Sequence, residues 1–67
     1  MNIYFNNQQK QIPSETALQL ILNDFIGTKQ KGIAVAINDT VIPRLRWAEH
    51  MLQPEDNVLV VTATQGG

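Results

Sequence analysis

Only one segment of the chain repeats its apolar residues with the period of a helix. Four of them follow one another at spacings of three, one and three residues: Leu18, Ile21, Leu22 and Phe25. Such a stripe is typical of an amphipathic helix that packs one side against a core. Ser14 stands where an N-cap is expected, and Gly27 supplies a C-terminal stop. We therefore predict one helix that begins near Ser14 and ends near Gly27.

The apolar residues outside this segment have the pattern of strands. Ile3 and Phe5 alternate with polar neighbours, and Pro13 ends a second short ladder because it lacks an N–H. The predicted strands are residues 2–6, 10–12, 33–37, 41–42 and 58–64. Polar turns are predicted at residues 6–9, 38–40 and 53–57, and a short helical or irregular connector at residues 44–52.

This order of elements predicts a two-layer α+β domain. A single helix across a mixed sheet of four to five strands is the ubiquitin-like β-grasp arrangement. A ferredoxin-like fold would need a second long helix, and residues 44–52 are too short and too polar to form one. We predict a β-grasp domain over residues 1–64 and a flexible C-terminal tail over residues 65–67.

The length and the absence of cysteine limit how such a domain can be stabilised. The chain has 67 residues and no cysteine, which suits one small domain without disulfides, thiolate metal sites or a cysteine nucleophile. A hydrophobic fraction of 43% at a net charge of -1 is too apolar for intrinsic disorder. Stability is therefore expected from core packing alone.

The charge balance narrows the expected partners. Five basic against six acidic residues lack the basic excess that phosphate-backbone binding requires, so no nucleic acid partner is expected. The longest apolar runs, residues 33–37 and 58–61, fall far short of the roughly 18 residues that span a bilayer. With no basic and apolar leader at its start, the chain is predicted to be cytoplasmic, without a membrane partner.

The sequence gives little support for a catalytic site. His50 is the only histidine and Ser14 the only serine, and the capping role predicted for Ser14 argues against a Ser-His-acid triad. His50 and scattered carboxylates lack the spacing of metal ligands, so no metal is expected. Glu55 and Asp56 lie in a predicted turn, where capping or solubility is a simpler role than acid–base catalysis.

The C-terminal segment is the most distinctive part of the sequence. From Asn57 to Gly67 no side chain is charged. Gly66 and Gly67 lack Cβ atoms and could thread a channel that other residues would block. The α-carboxylate of Gly67 would be the reactive group, which becomes a good electrophile only as a mixed anhydride with AMP. On Gly-Gly alone, a frayed terminus or a cloning remnant remains an alternative.

Four stretches of the chain together carry a family pattern. They are GIAVAIN at 32–38, VIPRLRWAE at 41–49, LQPED at 52–56 and QGG at 65–67. They resemble the ThiS family of thiamine-biosynthesis sulfur carriers, whose pattern has valine-proline-arginine, two variable residues and tryptophan, then a leucine, a glycine-aspartate turn and a Gly-Gly end. Ile42 replaces the usual valine, and Glu55 replaces the turn glycine, which puts the turn type in question.

The resemblance implies a carrier that is acted on as a substrate rather than an enzyme, with no bound cofactor of its own. An E1-like, ThiF-type adenylyltransferase would use ATP and Mg²⁺ to adenylate Gly67 at the end of the Gln65-Gly66 tail. A persulfide donor would then displace AMP and leave a thiocarboxylate, the sulfur source for a ThiG-type thiazole synthase. The free carrier is expected to be a monomer.

A docking surface is predicted on the sheet face away from the helix. In residues 33–37 two alanines alternate with bulky residues that would face the helix, and an apolar face left open in a monomer indicates a docking surface. The candidates are Tyr4, Ala34, Ala36, Leu59, Val61 and Ala63.

Two further questions stay open at this point. Pro43 and Trp47 can have a structural role, ending a strand and covering the core, or together with Arg44 can face a partner. Related β-grasp carriers, namely the small subunit of molybdopterin synthase or a ubiquitin-like modifier conjugated to lysines, are alternatives that the proline-arginine-tryptophan segment disfavours. A stand-alone enzyme is disfavoured by the missing catalytic arrangement.

Overall fold

The computed structural model describes residues 1–27 and 30–62. In chain order its elements are β1 (Asn2–Phe5), β2 (Gln8–Gln11), α1 (Leu18–Phe25), β3 (Ile33–Ile37), β4 (Thr40–Val41), a 3₁₀ turn (Arg44–Arg46) and β5 (Asn57–Thr62). No helix within these two ranges is long and apolar enough to cross a membrane.

The strands form one mixed sheet in the order β2-β1-β5-β3-β4. Strand β5 is central, parallel to β1 and antiparallel to β3. Helix α1 connects β2 to β3 and packs on one face of the sheet. This is the ubiquitin-like β-grasp arrangement, which confirms the predicted fold class. The predicted division at residue 64 stays a prediction, since residues 63–67 lie outside the described ranges.

Both β-hairpins turn through two residues with left-handed backbone. Asn6 and Asn7 have φ of 49° and 70°, and Asn38 and Asp39 have φ of 51° and 70°. Two successive positive φ values are the signature of the type I′ turn, which matches the twist of antiparallel strands. Strand β2 accordingly begins at Gln8, so the four-residue turn predicted at 6–9 is wrong in length.

Helix α1 begins at Leu18, so the predicted N-cap at Ser14 is wrong. Glu15 has a φ of 60°, which is not helical. Ala17 is the N-cap residue and makes no side-chain capping bond. The amide of Leu18 instead donates to the carbonyl of His50 at 2.8 Å. A tertiary contact therefore satisfies a group that a local cap would otherwise serve.

The C-terminal end of α1 agrees with the prediction. Gly27 has a φ of 73°, and its amide donates to the carbonyl of Leu22 at 3.1 Å. A left-handed glycine that returns its amide to the last turn is a common helix stop.

The core lies between α1 and the inner face of the sheet. Its buried apolar side chains are Ile3, Phe5, Ile12, Leu18, Ile21, Leu22, Val35, Ile37, Trp47, Leu52 and Val58. Phe25, the last residue of the predicted stripe, is 39% exposed and packs edge-on against Phe5 with ring centroids 5.0 Å apart. The helical stripe and the bulky residues of β3 thus meet as the sequence predicted.

The turn before β5 contains the residue that departs from the ThiS pattern. Glu55 has a φ of 69°, a conformation that costs an L-residue about 1–2 kcal/mol and costs glycine almost nothing. Its amide donates to the carbonyl of Asn2 at 2.7 Å, which ties the turn to β1. The turn therefore adopts the backbone conformation that glycine favours, although glutamate occupies it.

We expect Glu55→Gly to raise the free energy of unfolding by about 0.5–1 kcal/mol, since it relieves this strain and keeps the hydrogen bond to Asn2. Urea denaturation measures the change. The matched control is Glu55→Gln, which removes the charge, keeps the Cβ atom and should alter stability by less than about 0.5 kcal/mol. A glycine variant less stable than the parent would contradict the strain argument.

Candidate functional site

The sheet face opposite α1 is open and largely apolar. Across neighbouring strands Val41 pairs with Ala36, and Ala36 pairs with Leu59, which forms one continuous row. Ala34 and Val61 form a second paired row beside it. Directly paired residues point to the same side of a sheet, so these five side chains share one surface.

Most of the predicted docking residues can be located on this surface. Tyr4 of β1 is 37% exposed and belongs to the same face, because it alternates with the buried Ile3 and Phe5. Leu59 and Val61 are about half exposed, at 45% and 48%. The open face is defined here as Tyr4, Ala34, Ala36, Val41, Leu59 and Val61. Ala63, also predicted, lies outside the described residues.

Val41 was not among the candidates predicted from the sequence, although it is 68% exposed on the open face. Strand β4 has only two residues, too few to show an alternating pattern. The available signal was its neighbour Ile42, which packs against the core. A strand residue next to an inward side chain points outward.

The open face carries no charged side chain. Its six members are uncharged, and the other outward strand residues that the structure describes, including Gln9 and Asn57, are also neutral. Lys10, which pairs with Ile3, points to the helix side and lies over the Phe25 ring. An uncharged apolar patch on a small domain is the surface type that partners bury.

Two roles were predicted for Trp47, in the core or at a partner interface, and the structure places it in the core. Its side chain is 2% exposed, and its indole Nε1 donates to the carbonyl of Ile42 at 2.9 Å. Arg44 remains at the surface, with its guanidinium 4.7 Å from the centre of the Trp47 ring. One nitrogen of that guanidinium donates to the carbonyl of Gln30. Tryptophan thus belongs to the core, and the arginine is available to a partner.

The carboxylate of Asp56 closes the turn before β5. It accepts hydrogen bonds from the side-chain amide of Asn38 at 3.0 Å and from the backbone amide of Gln53 at 2.8 Å. Both oxygens are therefore engaged in capping, one of the roles predicted for this turn. In the part of the chain that the structure describes, no group of three or more histidine and acidic residues could hold a metal ion.

Strand β5 is the last element before the C-terminal segment. Hydrogen bonding to β1 on one side and β3 on the other fixes its direction and register. Its last residue, Thr62, pairs with Ile33 at the end of β3. The predicted site residues Gln65, Gly66 and Gly67 follow after Thr62 and lie outside the described residues.

Comparison with known protein families identifies the family of this chain. The family model described as ThiS family matches residues 3–67. The chain belongs to the ThiS family. The ThiS match includes every residue of the open face as well as residues 63–67, so both parts of the candidate site lie within it.

Individual ThiS proteins give the same result. The sulfur carrier protein ThiS of Escherichia coli (strain K12) is 34% identical over 67 residues, which cover the whole of both chains. The crystal structure of a thiamine biosynthesis protein (ThiS) from Geobacter metallireducens matches with a TM-score of 0.87 over the full length of both chains. At 17% sequence identity, that second likeness shows the fold alone.

Proposed function

We propose that this chain is a sulfur carrier of thiamine biosynthesis that holds sulfur as a thiocarboxylate on Gly67. The observation that carries the proposal is the ThiS family match, which extends through residue 67. It is supported by 34% identity over the full length of a sulfur carrier protein. Molybdopterin synthase subunits and protein modifiers remain related alternatives, but neither observation favours them.

The proposed chemistry uses the α-carboxylate of Gly67. A carboxylate oxygen attacks the α-phosphate of ATP, pyrophosphate leaves, and an acyl adenylate forms in the active site of a ThiF-type, E1-like enzyme with Mg²⁺. The terminal sulfur of a persulfide donor then attacks the acyl carbon and AMP leaves. A thiol cleaves the resulting acyl disulfide, which releases the thiocarboxylate and a disulfide.

In this proposal the chain supplies recognition rather than catalysis. The open face binds the ThiF-type enzyme and afterwards a ThiG-type thiazole synthase, to which the thiocarboxylate donates sulfur. Because β5 contributes Leu59 and Val61 to that face and also leads to residues 63–67, docking the face positions the reactive end. The proposal also includes that the carrier is a monomer between these encounters and works in the cytoplasm.

Intact-mass spectrometry tests the proposal directly. The chain is incubated with ATP, Mg²⁺, the adenylyltransferase and a persulfide source. The expected product is heavier by the replacement of one oxygen with sulfur, and without the sulfur source an AMP-linked species is expected instead. An unchanged mass under both conditions, with the enzyme active on an established carrier, would overturn the proposal.

The role of the open face is tested by Leu59→Lys. We expect this charge to weaken binding to the adenylyltransferase by at least about tenfold, because an unpaired ammonium would be buried at the interface. The matched control is Leu20→Lys on α1, where leucine is 55% exposed on the opposite layer. Isothermal titration of both variants decides the question, and equal losses would contradict docking through the open face.

A further inference from the structure

The 3₁₀ turn presents an arginine that is held in place by two uncharged groups. The Arg44 guanidinium lies over the Trp47 ring, 4.7 Å from its centre, and donates to the carbonyl of Gln30. Both partners are uncharged, and no ion pair to Arg44 occurs within residues 1–27 and 30–62. A guanidinium has five donors, so most of them remain available to another molecule.

The groups that hold Arg44 are themselves fixed to the helix. The side-chain amide of Gln30 donates to the carbonyl of Gly27 at 2.6 Å and to Asn23 Oδ1 at 2.9 Å. Gln19 donates in turn to Gln30 Oε1 at 2.8 Å. Arg44 is therefore oriented before any partner arrives, which reduces the entropy lost when it forms an ion pair.

Three acidic residues lie at the end of the sheet opposite Arg44. Asp39, Glu55 and Asp56 lie at the start of β5, where Asn38 bonds Asp56 and pairs with Asn57. Strand β5 has six residues, so its two ends are about 17 Å apart.

The end of the sheet that holds Arg44 is the one from which the chain continues after Thr62. The carbonyl of Gln30 accepts a hydrogen bond from Arg44, and Lys31 is the next residue. Two residues further along, Ile33 pairs with Thr62. Leu45, next to Arg44, is 89% exposed. Arginine beside an exposed apolar side chain is typical of the contacts that interfaces use.

We propose that Arg44 forms an ion pair with a carboxylate on the activating adenylyltransferase, at the end of the sheet where Ile33 pairs with Thr62. The inference rests on the proposed function and adds the chemistry of that partner. An acidic group there would attract Arg44 and orient β5 so that the chain after Thr62 is directed toward the active site.

The experiment compares charge-removing and charge-reversing variants. Binding to the adenylyltransferase is measured for Arg44→Gln and Arg44→Glu at low and at high salt. We expect Arg44→Gln to weaken binding at least about tenfold and Arg44→Glu to weaken it further, with the difference from wild type shrinking as salt rises. A purely structural role would make the two losses similar and independent of salt, which would overturn the inference.

Lys10 provides a matched control on the opposite edge strand. It also lies over an aromatic ring, 5.4 Å from the centre of Phe25, so Lys10→Gln removes a charge and a similar ring contact. This variant should bind within about twofold of wild type. Thermal unfolding of each variant separates loss of binding from loss of folding, and Arg44→Lys, which keeps the charge without the planar fork, should retain part of the affinity.

Pyrophosphate exchange distinguishes a failure of this inference from a failure of the proposed function. If the wild-type chain is adenylated and the Arg44 variants bind as tightly as it does, only the ion pair is wrong. If the enzyme does not adenylate the wild-type chain, the proposed function fails and the inference fails with it.

Discussion

Replacing Leu22 by alanine is expected to lower the free energy of unfolding by about 2–4 kcal/mol. Leu22 is fully buried on α1, in the cluster that also contains Val35 on β3. The substitution removes apolar contacts and leaves a cavity that the surrounding strands fill only in part. A domain of this size has a total stability of about 5–15 kcal/mol at most, so part of the population would unfold at moderate temperature.

Leu20→Ala is the matched control for this prediction. Leu20 lies on the same helix two residues away and is 55% exposed, so the same change in chemistry should cost less than about 0.5 kcal/mol. Chemical denaturation of both variants, with Val35→Ala as a second core probe, measures the difference. Similar values for Leu20 and Leu22 would mean that the buried face of α1 has been assigned incorrectly.

The main features of the fold could be predicted because they depend on local patterns. The apolar stripe of α1 and the alternation in Ile33–Ile37 each determine which side of an element faces the core, and both were confirmed. The start of the helix depends instead on the contact between Leu18 and His50, residues that are distant in sequence. The N-cap rule considers only local groups, so it placed the start at Ser14.

The polar edge strand shows a second limit of sequence patterns. Gln8–Gln11 contains no apolar residue, yet it pairs along its whole length with β1. Backbone hydrogen bonds form such a ladder whatever the side chains are, and a lysine such as Lys10 protects an exposed edge from unwanted pairing. Hydrophobic periodicity has no signal in a segment of this kind.

The candidate site likewise contains residues that local sequence patterns predict and residues that they do not. The two alanines of β3 and the β-branched run of β5 were enough to predict the open face, because strand alternation fixes both sides at once. Val41 was missed since a two-residue strand has no period. The fixed orientation of Arg44 depends on Gln30, fourteen positions away in sequence, and no local pattern indicates it.

Changes to the C-terminal glycines are expected to affect function without affecting folding. The core that the structure describes is complete by Val60, its last partly buried member. We therefore expect Gly66→Val to leave the unfolding midpoint nearly unchanged. Adenylation should fall by at least about tenfold, equivalent to about 1.4 kcal/mol, because a β-branched side chain obstructs a narrow channel and disfavours the positive φ values open to glycine.

Deleting Gly67 is expected to abolish activation. The deletion shifts the terminal carboxylate by about 3.5 Å, which is too far for in-line attack on the α-phosphate of a bound ATP. Pyrophosphate exchange and intact mass, measured on the wild type, Gly66→Val and the deletion, should give full, reduced and undetectable activation in that order. Thr62→Ala, a change at the described end of β5, is the control and should be activated like the wild type. Normal activation of the deletion variant would show that Gly67 is not the reacting residue.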